Sequence, residues 1–262
     1  MRVAIIGAGA GGCFAAANLK RQGGMEIFVF EKTSKALQKV KVSGGGRCNV
    51  THACFDIPKL VERYPRGNRF LRKTLHRFTP QHTIAWFEER EVSLKTEDDG
   101  RMFPVTDDSQ TIIDCIWGEM MKNKVQVRYH KAVERIEKVD EQLMITFKDE
   151  TSFLADRVII ACGGFAKKEQ FSWLEHLGHT IEYPVPSLFT FNLHKNPITE
   201  LMGVSVANVT VKIAGTKLTE HGPLLITHWG FSGPAILKCS AWGARILSEH
   251  GYDFIVLINW LG

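Results

Sequence analysis

The sequence predicts an α/β fold: a Rossmann-like, parallel-sheet domain over residues 1–188 with a helical insertion at about 55–124, then part of a β-rich domain over residues 189–262. Three observations predict it. The first 32 residues read as strand, glycine turn, helix, strand and acid, in that order. The middle of the chain turns helical around a short hairpin, and from Ser187 onward short β-patterned runs dominate.

Residues 2–6 are a Val- and Ile-rich run without alternation, the pattern of a parallel strand covered by helices on both faces. They lead into Gly7-Ala8-Gly9-Ala10-Gly11-Gly12, which fits G-x-G-x-x-G. Gly7 permits the tight turn, Gly9 lets a pyrophosphate approach the backbone, and Gly12 lets the next helix pack close to the strand. That helix is expected at residues 13–21, small-sided at Ala15, Ala16 and Ala17 and stopped by Gly23-Gly24. Its free amides and positive dipole end would face phosphate. Residues 27–30 form a second buried strand ending in Glu31, nineteen positions beyond Gly12. An acid there accepts hydrogen bonds from both ribose hydroxyls and repels a 2′-phosphate. The residues point to a dinucleotide, with NAD and FAD both compatible.

With 262 residues, 44% of them hydrophobic, the chain can bury a full core. A strand beginning at Arg2 leaves no room for a cleavable signal peptide, and the longest apolar runs, such as residues 254–258, are too short to span a bilayer. A cytoplasmic protein with no membrane partner is the expectation. The six cysteines form no C-x-x-C pair, so neither a metal site nor a disulfide framework is indicated. The formal charge of +5 is mild but concentrated at Arg63, Arg66, Arg69, Arg72, Lys73 and Arg77. On one helix these would form a stripe, read here as a solvated face rather than a nucleic-acid footprint.

Residues 40–51 read Val-Lys-Val-Ser-Gly-Gly-Gly-Arg-Cys-Asn-Val-Thr. Three consecutive glycines leave the backbone bare, so its amides can line an anion or a flat ring edge. With the fingerprint, this stretch resembles the BaiN-like family of bacterial flavoproteins, NAD(P)/FAD-dependent oxidoreductases also described as aminoacetone oxidases. Further points of resemblance are Gly100-Arg101-Met102-Phe103-Pro104, the run from Asp156 to Gly164, Pro186-Ser187-Leu188, and the run from Thr227 to Pro234. The resemblance covers nearly the whole chain and implies FAD, with NAD(P)H or oxygen as electron partner and a small organic molecule as substrate. Fingerprint and resemblance together give the candidate FAD contacts. They are Gly7, Ala8, Gly9, Ala10, Gly11 and Gly12, then Glu31 and Lys32, and Ser43, Gly44, Gly45, Gly46, Arg47, Cys48 and Asn49. Val133, by its backbone amide, and Ala161, Cys162, Gly163 and Gly164 complete the set.

Residues 64–124 read as mostly helical, with Thr79-Pro80 as N-cap and first helical residue and a hairpin at 92–105. Strands follow at 125–129, 132–139, 143–148 and 153–162, then a helix at 165–178 from which no site residue is taken. In the second domain, strands are expected at 189–193, 204–213, 224–227 and 252–260, with a helix from Ser232-Gly233-Pro234 to about residue 248. Candidate catalytic groups are Arg47, Arg101 and His228, the last a proton donor or the partner of a buried turn.

No G-x-S-x-G, H-E-x-x-H or P-loop occurs, so hydrolysis and phosphoryl transfer have no carriers. Cys48 and Cys54 lack the spacing of a redox pair, which sets aside a disulfide reductase. Two rival functions stay open: a flavin-dependent RNA-modifying or nucleic-acid-binding protein, and a flavin-free, non-catalytic fragment. The family continues beyond residue 262 with a segment closing over the flavin. A truncated chain with weakened FAD binding, prone to self-association, is therefore expected.

Overall fold

The computed structural model describes residues 1–20 and 22–261. The chain divides into two compact units, Met1–Glu182 and Tyr183–Gly262.

The first unit opens with β1 (Arg2–Ile6), α1 (Ala10–Asn18), β2 (Glu26–Phe30) and α2 (Gln38–Val42). It continues through β3 (Thr51–His52), α3 (Ile57–Val61), α4 (Asn68–Leu75), α5 (Pro80–Glu88), β4 (Leu94–Thr96), β5 (Arg101–Pro104) and α6 (Ser109–Lys122). β6 (Gln126–Arg128), β7 (Val133–Val139), β8 (Gln142–Phe147), β9 (Ser152–Ala155), β10 (Arg157–Ile160) and α7 (Ser172–Glu175) complete it. β10, β1, β2 and β6 lie side by side in that order as a sheet whose pairings are all parallel.

Because side chains alternate across a strand, the central strands feed two cores. Val3, Ile5, Ile27 and Val29 pack with Cys13 and Ala16 of α1 and Ile112, Ile116 and Met120 of α6. Ala4, Ile6, Phe28 and Phe30 pack instead with Ile136, Ile145, Phe147 and Phe153 of an antiparallel sheet, β7-β8-β9. This corrects the expectation of helices on both faces. A strand buried on both sides looks the same in sequence whichever element covers it.

The α1 helix starts three residues earlier than expected, at Ala10 directly after its N-cap Gly9, and ends at Asn18; Arg21, in the expected helix, lies outside the described residues. The single strand expected at 153–162 is two. β9 pairs with β8 and β10 with β1, and the corner is pinned by Asp156, whose carboxylate accepts from the Arg2 amide (2.6 Å) and the Gln142 side chain (2.7 Å). The helix expected at 165–178 reduces to a 3-10 turn, Lys168–Phe171, and the one-turn α7. The glycine loop is less open than its sequence suggests, since α2 enters it and Ser43–Gly46 is a 3-10 turn. Thr79 caps α5 as read: its hydroxyl accepts from the His82 amide and the His82 ring accepts from the Thr79 amide.

The second unit comprises β11 (Phe191–Asn192), β12 (Ser205–Ile213), β13 (Thr219–Thr227), β14 (Gly230–Ser232), α8 (Pro234–Trp242), α9 (Ala244–Glu249) and β15 (Val256–Asn259). Its antiparallel sheet runs β11-β14-β13-β12-β15. Val209, Val211, Leu224 and Ile226 of the sheet pack with Ile236 and Cys239 of α8 and Leu247 of α9. The one helix expected to residue 248 is split at Gly243, where a side chain would meet Leu218 Cδ2 at 2.3 Å. The strand expected at 252–260 is confined to β15.

Candidate functional site

The fingerprint glycines separate into two kinds by what surrounds them. A side chain at Gly7, whose φ is +106°, would lie 2.6 Å from the Ala161 carbonyl oxygen. One at Gly12 would lie 1.9 Å from the Gly7 carbonyl oxygen. These two let the turn, α1 and the end of β10 close on one another. A side chain at Gly9 or Gly11 would meet nothing within 4 Å. The first intrahelical bond runs from the Cys13 amide to the Gly9 carbonyl (3.0 Å). The amides ahead of it form the electropositive helix end above that open space.

Glu31 follows β2 directly, and its carboxylate turns toward the fingerprint. One oxygen accepts from the Ala8 amide (3.0 Å), the other from the Thr33 amide (2.9 Å) and hydroxyl (2.8 Å). A carboxylate has about four acceptor positions, so capacity for further donors remains. A cavity of about 390 Å³ opens here, lined among others by Gly7, Glu31, Lys32, Val133, Cys162 and Trp173. It lies beyond the carboxyl ends of β1, β2 and β10, the crevice where open α/β sheets hold ligands. Lys32 sits 5.2 Å from the centre of the Phe165 ring. Lys131 donates to Asp149 and to the Thr151 hydroxyl. The Lys131 and Thr151 hydrogen bonds together bring the Asp149 carboxyl down to about 2. Burial pushes the Cys162 thiol up. Gly163 and Gly164 leave open space at the rim.

A second cavity, of about 460 Å³, is reached from the same turn and is mostly apolar. Ala10, Gly11, Ser43, Cys48 and Asn49 line it together with side chains such as Phe87. In the glycine loop Gly44 serves the chain itself, since a side chain would meet Phe103 Cε1 at 2.7 Å, while Gly45 and Gly46 stay open. Cys48 is buried, with φ +62°, and its thiol is pushed up by that burial.

The structure gives the three catalytic candidates other surroundings. Arg47 pairs with Glu97 and Asp107 and lies 4.0 Å from the centre of the Phe103 ring. Arg101 approaches the same ring at 5.5 Å and bonds Asp99 at 2.7 Å. The two guanidiniums are thus held in one acid-rich network around the β4–β5 hairpin, and neither lines the two cavities described. His228 is exposed in the turn between β13 and β14, its ring against Trp229, so it satisfies no buried turn. Sequence reasoning missed Phe165, Trp173, Lys131 and Lys148 of the first cavity. The available signal was the aromatic pair in the return segment after Gly163-Gly164. Among the described residues no cluster of His, Cys, Asp and Glu could hold a metal ion.

The model of the HI0933-like protein Rossmann domain matches residues 1–225. The chain is similar to the 3-dehydro-bile acid delta(4,6)-reductase of Clostridium scindens, 29% identical over 269 residues, covering 99% of this chain and 64% of that protein. It is similar to the ribosomal RNA dihydrouridine synthase of Escherichia coli, 32% identical over 264 residues, covering 91% and 60%. The chain therefore spans less than two thirds of the length of either. Among solved structures, the 3-ketosteroid-delta4-(5alpha)-dehydrogenase of Rhodococcus jostii superposes with a TM-score of 0.45 at 14% identity, over 65% of this chain and 47% of that one.

Proposed function

The chain belongs to the HI0933-like family, and we propose that it is the nucleotide-holding part of an FAD-dependent oxidoreductase that acts on a small organic substrate with NAD(P)H as electron donor. The observation that carries this reading is the pairing of an open fingerprint with an acid one strand away. Gly9 has ordinary backbone angles and empty space where a side chain would be, so nothing within the chain requires a glycine there. A pyrophosphate against the end of α1 does require one. From the same turn, Glu31 and the lining of the first cavity fit the adenosine half, and the apolar second cavity fits what extends beyond the pyrophosphate. Bound FAD would supply hydride transfer. This chain's residues would orient it, with the α1 amides on the phosphates, Glu31 on the ribose and Val133 at the base. The Clostridium scindens relative is named for a reduction, which favours NAD(P)H over oxygen as the partner. All six cysteines are free thiols, as a reducing cytoplasm keeps them.

The test is titration with FAD, followed by quenching of flavin fluorescence. Gly9→Val is expected to abolish binding while leaving the circular dichroism and melting temperature unchanged. Glu31→Ala, which loses charge-assisted hydrogen bonds, is expected to weaken binding by about 1.5 to 3 kcal/mol. Wild-type affinity in Gly9→Val, or no FAD binding by the parent chain, refutes the reading. NADH or NADPH bleaching the bound flavin without oxygen identifies the donor; bleaching by neither removes NAD(P)H from it.

A further inference from the structure

Outside residues 62–78 the Lys and Arg residues are matched by Asp and Glu, so the whole chain's formal +5 resides in this one stretch, which has Glu62 as its sole acid. The stretch comprises the turn after α3, α4, and the turn into α5. It is not the single striped helix expected from the sequence, because residues 64–67 break it. α4 buries none of its residues. Phe70 is 79% exposed, more than any other aromatic side chain among the described residues. Arg63, Arg69, Arg72, Lys73 and Arg77 are all exposed. None of the five is in an ion pair among the described residues. The fold uses these residues neither for packing nor for pairing.

We propose that this surface docks RNA, with the cations on successive phosphates and Phe70 stacked on an unpaired base. Arg69, Arg72 and Lys73 stand at i, i+3 and i+4 and share one side of α4, with Phe70 beside them. A row of cations interleaved with an exposed aromatic ring is the arrangement that grips a single strand, because phosphates repeat along it and every base offers a flat face. A duplex hides those faces, so a loop or single-stranded segment is the form that fits. An anionic membrane would also attract the charge, but an interfacial helix needs a continuous apolar side. Here Leu71 and Leu75 are half-buried against the protein, which leaves Phe70 alone. The proposal goes beyond the flavin reading and does not depend on it, since RNA binding and FAD binding are read separately.

The experiment measures fluorescence polarisation of a labelled, mixed-sequence single-stranded RNA with the FAD-treated chain over a salt series. The parent chain is expected to bind with a log–log salt slope of several. Arg69→Gln/Arg72→Gln/Lys73→Gln is expected to weaken binding at least ten-fold and flatten the slope by roughly 0.7 for each lost phosphate contact. Phe70→Ala is expected to weaken binding about five-fold or more with the slope unchanged. The control Lys124→Gln/Lys138→Gln/Lys212→Gln removes the same charge from exposed sites elsewhere and is expected to leave binding within about two-fold of the parent, beyond the general field of net charge. Because the substituted side chains are all exposed, every variant is expected to keep the parent's melting temperature and FAD titration. Absence of RNA binding by the parent overturns the proposal, as do equal losses in the control and α4 triple variants. An unchanged affinity in Phe70→Ala, or binding to phosphatidylglycerol vesicles but not to RNA, overturns it as well.

Discussion

Gly12 and Gly9 belong to one motif yet impose opposite demands. The chain itself needs Gly12, because an added carbon would lie 1.9 Å from the Gly7 carbonyl oxygen; it does not need Gly9, where the space is empty. Gly12→Ala must therefore push α1 off β1 and is expected to cost about 3 kcal/mol, the upper part of the overpacking range. Urea unfolding without ligand checks this, and a midpoint equal to the parent's would show that the close approach carries no stability. The motif revealed which glycines matter, but the same three letters could not reveal which serve the fold and which are left for a ligand. The cysteines divide in the same physical way. Burial first, then the charge of Glu31, pushes Cys13 from 9.0 to about 12, and burial does the same for Cys239. A thiol held protonated in the folded state adds stability that is intact below its unfolded value and disappears as pH rises through the folded one. Unfolding free energy is thus expected to fall as pH climbs from 9.0 toward about 12. Iodoacetamide at mildly alkaline pH should label the half-exposed Cys54 in the native protein and reach Cys13, Cys48 and Cys239 only after denaturation. Mass spectrometry of the labelled peptides decides it: native labelling of Cys48 ahead of Cys54 would make Cys48 the reactive thiol.

At the scale of elements, legibility followed the locality of the signal. β1, β2 and the start of α5 were readable because what defines them lies within a few residues: an apolar run before a glycine turn, or a Thr79-Pro80 cap. What covers the sheet was not readable, since Phe28 and Phe30 are equally apolar whether they meet a helix or, as they do, Phe153 and Phe147. The corner between β9 and β10 was missed for a related reason. Only the Asp156 contacts to Arg2 and Gln142, distant in sequence, show that the chain changes sheets there. Arg47 and Arg101 illustrate the limit for the candidate site. The Arg47 loop is legible from its glycines and the Arg101 segment only from the family resemblance, but Glu97, Asp99 and Asp107, which claim both guanidiniums, come from the hairpin and the loop after it. For the aromatic lining at Phe165 and Trp173, the only local signal is the aromatic pair that follows Gly163-Gly164.

For the whole molecule the question is which part carries which task. The residues of both cavities lie within Met1–Glu182, and that unit holds two of the three hydrophobic clusters among the described residues, while the third is confined to the second unit. Residues 179–187 have neither helix nor strand, and Glu182 and Tyr183 are exposed within them, Tyr183 at 61%. A stretch without helix or strand between two separately packed cores is where a protease binds most readily, because cleavage requires the backbone to adapt to the enzyme without unravelling a core. Brief digestion with a glutamate-specific protease is therefore expected to cut first after Glu182. It should leave a fragment of residues 1–182 that resists further cutting, unfolds cooperatively and titrates with FAD as the intact chain does. A first cut inside the β7–β9 sheet or the β12–β13 hairpin would contradict this. A 1–182 fragment that folds but no longer binds FAD would be more informative still, because it would require the second unit to supply contacts that the two cavities of the first do not contain.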